Sequence, residues 1–124
     1  MRALLLALAA TTAVTGAARA CEPGDASHAG HYVLNGVMEV GSEILIQPNG
    51  SFEFALAYGA NDQYGKGCWV KTGQTIALIP EGQTRVTGRH TPESFGFTGI
   101  TLSIDGKALV WNIGNSGKTG RFER

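Results

Sequence analysis

The clearest pattern in the chain is at 51–58 (SFEFALAY), where Phe52, Phe54, Leu56 and Tyr58 fall on one side and Ser51, Glu53, Ala55 and Ala57 on the other. A period of two is that of a β-strand with one face on a core. Runs with a similar character lie on either side of it. They are 31–40 (HYVLNGVMEV, with Gly36 as a bend or bulge), 43–47 (EILIQ), 67–72 (GCWVKT), 75–80 (TIALIP) and the more polar 84–89 (TRVTGR). Further on come 95–104 (FGFTGITLSI), 108–113 (ALVWNI) and a short closing segment, 121–124 (RFER). The breaks between them are turn-like: Gly41-Ser42, Pro48-Asn49-Gly50, Gly73-Gln74, Glu81-Gly82 and Asp105-Gly106. Asn49-Gly50 predicts a type I′ hairpin turn. Segments 90–94 and 114–120 read as loops, the first because Pro92 removes a backbone donor. No window sustains a capped 3.6-residue period, so no helix is predicted beyond a single turn.

About eight short strands at roughly 10–12-residue spacing, joined mostly by hairpins, predict an all-β, antiparallel up-and-down sheet. Closing that sheet into a small barrel removes its exposed edges. The alternative is a two-sheet sandwich. It fits less well, because few connections are long enough to cross over and Trp69 directly follows the second cysteine instead of lying between the two.

Composition changes the picture at the N-terminus. Arg2, the apolar run 3–10 and Ala18-Arg19-Ala20 have the layout of a secretory signal peptide with small residues before its cleavage site. Segment 1–20 is therefore expected to be removed, leaving 21–124 as a single exported domain, periplasmic or secreted. The apolar run is far shorter than the roughly 20 residues that span a bilayer. Arg2 and Arg19 leave with the leader, so the remainder has two more acidic than basic side chains. That balance argues against a nucleic-acid partner and against attraction to anionic membrane. With an oxidising destination, Cys21 and Cys68 are expected to form one disulfide. Lipid attachment at Cys21 is the competing reading, although Ala18 and Arg19 fit a lipobox poorly.

The stretch 58–69 draws the most attention, since it holds Tyr58, Tyr64, Cys68 and Trp69. It reads as a strand end, a glycine-relieved loop at Asn61, Asp62, Gln63 and Tyr64, and the start of the next strand. Gly67-Cys68-Trp69 followed by Gly73-Gln74 and Thr75-Ile76-Ala77-Leu78 resembles the G-x-W … G-x-x-(I/L)-x-L hairpin of small secreted bacterial lipocalin-like barrels. Asn49-Gly50-Ser51-Phe52 is similar to their D/N-G-x-F turn, and Tyr58 closes the strand that follows. The resemblance covers roughly residues 30 to 80. It implies a barrel and brings no active site with it.

Chemistry-bearing groups are sparse. His28 and His31, with His90, Asp25 and Glu39 as distant candidates, make a weak metal set. No metal or other cofactor is expected. Glu39 and Glu43 flank the expected turn at 41–42 without a reason for a raised pKa. Ser27–His28, Ser94 with His90, and Ser116 lack the context of an activated nucleophile. Asn49-Gly50-Ser51 matches a glycosylation sequon but is explained by its turn. The chain is thus expected to be a non-enzymatic monomer that binds a small apolar or amphipathic ligand. Tyr58, Trp69 and Trp111 are the expected lining residues. The alternative is an envelope accessory protein or an inhibitor of a secreted hydrolase. It would act through the 61–64 loop (Asn61, Asp62, Gln63, Tyr64) and the 114–119 loop.

Overall fold

The computed structural model describes residues 21–81, 94–113 and 116–124. The leader-like segment 1–20, the strand expected at 84–89 and His90 lie outside these. Alternating apolar runs become β1 (Gly30–Asn35), β2 (Val40–Ile46), β3 (Ser51–Tyr58), β4 (Asn61–Thr72) and β5 (Thr75–Pro80). They continue as β6 (Ser94–Phe95), β7 (Ile100–Asp105), β8 (Ala108–Ile113) and β9 (Lys118–Glu123). Each strand pairs antiparallel with its neighbour, β1 pairs with β9, and β3 pairs with β4, so the sheet closes into an eight-stranded up-and-down barrel. The two-residue β6 is an appendage on β4, at Gly65–Ser94. The sole helical feature among the described residues is a 3-10 turn, Ala26–His28, with Asp25 accepting from the Ser27 N–H at 2.9 Å. No helix among them is long and apolar enough to cross a membrane.

Inward positions follow the period of two. Tyr32, Ile44, Phe52, Phe54, Ile76, Leu78, Leu102, Leu109 and Phe122 are all buried in one core. Toward one end β5 stops at Pro80, and β4 continues beyond its reach. The segment 94–99 repairs the wall there: Ser94 pairs with Gly65 and Gly96 bridges Tyr64. Phe97 turns inward from it, stacks on Phe54 with centroids 4.4 Å apart and meets Phe52 edge-on at 6.0 Å. Gly65 makes room for it, because a Cβ at that position would overlap the Phe97 ring.

Several boundaries differ from the sequence reading. Positions 31–40 are not one strand: the chain reverses at 36–39, with Glu39 at φ 63°. Gly41 and Ser42, expected to turn, lie within β2 opposite Ala57 and Leu56. The buried Ser42 hydroxyl donates to the Ala55 carbonyl at 2.8 Å, so burial leaves no orphaned polar group. The residues 61–64 are strand, not loop, because β3 and β4 pair down to Tyr58–Asn61 across a two-residue turn. The 95–104 run is broken between β6 and β7, and β9 begins at Lys118 inside the expected 114–120 loop. At Pro48-Asn49-Gly50 the turn is not type I′, since Asn49 does not have positive φ. Gly50 N–H donates to Gln47 O at 3.0 Å and Gly50 has φ 92°. That is the type I turn with a following left-handed glycine that also closes hairpins, and it suits Pro48 at its second position.

Glu39 is exposed, and among the described residues its carboxylate has no ion-pair partner. A left-handed non-glycine residue costs roughly 1–2 kcal/mol, of which part returns as unfolded-chain entropy when glycine replaces it. Glu39→Gly should therefore raise stability by about 0.5–1 kcal/mol, a few degrees in Tm by thermal unfolding. No change, or a loss, would mean the Glu39 side chain has a stabilising role.

Candidate functional site

The two ends of the barrel are finished differently. At the end where β1 begins, segment 21–29 lies across the strands as a strap. Cys21 and Cys68 form the expected disulfide, and Gly24 N–H donates to Pro48 O at 3.0 Å. The Trp69 indole lies against Gly24 and donates to Gln47 O at 2.8 Å. Tyr32 donates its hydroxyl to His28 O at 2.6 Å, and burial raises its pKa against the weaker opposing pull of Arg124. Arg124 donates to Ser27 O at 2.9 Å and Ala29 O at 3.0 Å, and its guanidinium lies 5.3 Å from the Tyr32 ring centroid. This end is sealed.

The opposite end holds a cleft of about 360 Å³. Its apolar floor and sides come from Val37, Val40, Leu56, Trp111 and Ile113, with Met38 and Tyr58 at the rim. Strand parity explains the convergence. Leu56 and Tyr58 end the inward row of β3, Trp111 and Ile113 that of β8, and the 36–39 turn folds Val37 and Met38 over them. Trp111 is half-buried and packs on Phe122 with centroids 6.1 Å apart. Met38 is 88% exposed and Tyr58 52%, and the two stand together on the rim of one apolar cleft.

Of the three aromatic residues expected to line a ligand site, the structure brings two together, Tyr58 and Trp111. Trp69 is at the sealed end, 3% exposed, with its N–H already used. The expected partner-binding quartet is divided by strand alternation. Asn61 and Gln63 face the cleft, opposite Tyr58 and Leu56. Asp62 and Tyr64 are on the outer wall, where Tyr64 donates to Glu53 at 3.4 Å. Burial, then the Glu53 carboxylate, pushes the Tyr64 hydroxyl pKa up. Sequence reasoning missed Val37 and Met38, which depend on a turn it placed elsewhere, whereas Ser116 and Lys118 lie in the expected 114–119 binding loop and line the cleft, Lys118 as the first residue of β9.

The other candidate groups are scattered. Glu39 is in the 36–39 turn, while Glu43 is on the outer wall beside His31 at 3.2 Å, so the two carboxylates do not share a site. His28 is 3.8 Å from Asp25, and no group of three or more His, Cys, Asp or Glu side chains is gathered among the described residues. The Ser27 hydroxyl donates to Asp25 at 2.8 Å, and that of Ser116 to Ile113 O at 2.6 Å. Two acceptor bonds from Ser27, backbone first, hold the Asp25 pKa below its usual value. What the described geometry assembles is a one-sided apolar cleft at the mouth of a filled barrel. Compared with protein families, with curated proteins and with solved structures, the chain matches none of them.

Proposed function

We propose that this is an exported, non-enzymatic, monomeric binding domain that takes a small apolar or amphipathic ligand at the open end of a lipocalin-like barrel. The observation that carries this reading is the convergence of Tyr58, Met38 and Trp111 on one apolar cleft while the opposite end is sealed. Export is supported by the leader-like 1–20 segment and by a disulfide that joins the strap to β4. Because Phe52, Phe54 and Phe97 fill the middle, the ligand rests at the mouth and is not enclosed. If about 200–300 Å² of apolar surface is covered at roughly 25 cal/mol per Å², the gain is about 5–7 kcal/mol before ordering costs. Dissociation constants of about 0.1 mM or weaker follow.

Intrinsic fluorescence tests it, because the two tryptophans are at opposite ends. Titration with decanol should change the emission of the wild-type protein, and Trp111→Phe should remove the change while Trp69 still reports a folded barrel. A response that survives in Trp111→Phe places the ligand elsewhere. Tyr58→Ala should weaken binding several-fold, and Tyr64→Ala, on the outer wall, should leave it unchanged. A second reading, an accessory protein or hydrolase inhibitor that docks by this rim, draws on the exposure of Met38. Met38→Lys would then abolish capture of the partner protein in a pull-down.

A further inference from the structure

The cleft has a polar side that the apolar floor does not explain. Lys118 opens β9 on the same inward face as Gly120 and Phe122, directly across from Ile113. Its side chain lines the cleft beside Trp111, Asn61 and Gln63 and is the only charged group among the described lining residues. Ion pairs elsewhere engage other cations: Arg121 with Asp105 at 2.7 Å and Lys71 with Asp25 at 4.0 Å. Among the described residues no carboxylate comes within ion-pair distance of the Lys118 ammonium. The side-chain amides of Asn61 and Gln63 likewise have no hydrogen-bond partner there. Ser116 is different, since its hydroxyl is spent on Ile113 O and on the Lys118 N–H at 3.1 Å.

Donors thus gather along one margin of an apolar floor. We propose that the ligand is an amphipathic anion, its alkyl tail across Trp111, Ile113 and Val40 and its carboxylate or equivalent head at Lys118, with Asn61 and Gln63 as further donors. This deepens the binding reading above and rests on it. A charge-assisted hydrogen bond is roughly twice as strong as a neutral one. In an open, solvated cleft the pair remains a modest term, weakened by salt. The expected preference for an anionic over a neutral head is about fivefold to tenfold.

Three probes with the same tail separate the two claims: decanoate, decanol and decylamine, titrated at neutral pH below micelle formation, with Trp111 emission as the readout. Decanoate should bind about fivefold to tenfold more tightly than decanol, and decylamine most weakly. Lys118→Gln should reduce the decanoate preference, read as the decanoate-to-decanol affinity ratio within the variant, to about twofold or less. Raising the salt concentration should do the same to the wild type. If all three bind alike, or if Lys118→Gln leaves the ratio intact, the anionic-head assignment is overturned and the apolar site stands. If none binds, the site itself is wrong. Sedimentation with phosphatidylglycerol vesicles distinguishes a free anion from a lipid surface. The free anion predicts no co-sedimentation, and Lys118-dependent co-sedimentation would overturn it.

Discussion

Phe97→Ala should cost about 3–5 kcal/mol, the range for truncating a buried aromatic side chain where neighbours cannot collapse. For a domain this small that corresponds to a fall in Tm of more than about 12 °C. The ring is 1% exposed, is stacked on Phe54, and meets Phe52 edge-on, so its loss removes the middle of three aromatic rings with both of its ring contacts and leaves a void. Closed barrel walls cannot move inward without breaking register, which is why little of that cavity would be recovered. Gly65→Ala should be damaging for the reciprocal reason, since its methyl group occupies the ring's position. The double variant should then be markedly less damaging than the sum of the two, because removing the ring vacates the space the methyl needs. Strict additivity in chemical unfolding, or a Phe97→Ala cost below about 1 kcal/mol, would show that Phe97 is not the interior filler.

This pair also explains where the sequence misleads. The barrel was legible because Phe52, Phe54, Leu56 and Tyr58 alternate so cleanly that one face of β3 must be buried, and the turns around it are short. Gly65 reads as loop relief for the same reason that any clustered glycine does, while Gly67 reads as the start of the next strand. In the fold they belong to β4, where a Cβ would overlap the Phe97 ring at one and the Ile79 backbone at the other. Close approach from a distant segment leaves no local signature. The same limit governs the site. Tyr58 and Trp111 could be named from inward parity, but Trp69 has equal parity and ends under the strap, a packing choice made by residues 21–29. Val37 and Met38 escaped because their roles depend on the chain reversing at 36–39, and Lys118, within the expected 114–119 loop, gains its inward direction only because β9 starts there. A left-handed Glu39 gives no hint of the reversal.

Removing the disulfide, by reduction or by a Cys21→Ser/Cys68→Ser double variant, should lower Tm by more than about 15 °C. Cys21 and Cys68 are 47 positions apart. Opening a loop of that size releases about 4 kcal/mol of chain entropy in the unfolded state. At roughly 4–8 °C per kcal/mol the shift follows directly. The source of the effect can be separated from loss of the strap. In the folded protein the strap keeps its non-covalent ties: Gly24 to Pro48, Tyr32 to His28, and Arg124 to Ser27 and Ala29. Below the transition, therefore, Trp69 emission in the double variant should match that of the wild type, because the indole stays against Gly24 and bonded to Gln47. The denaturant m-value should rise, since an unlinked unfolded chain exposes more surface. An exposed Trp69 spectrum at low temperature would instead mean that the strap holds only through its covalent bond, and the sealed end would then be as open as the mouth.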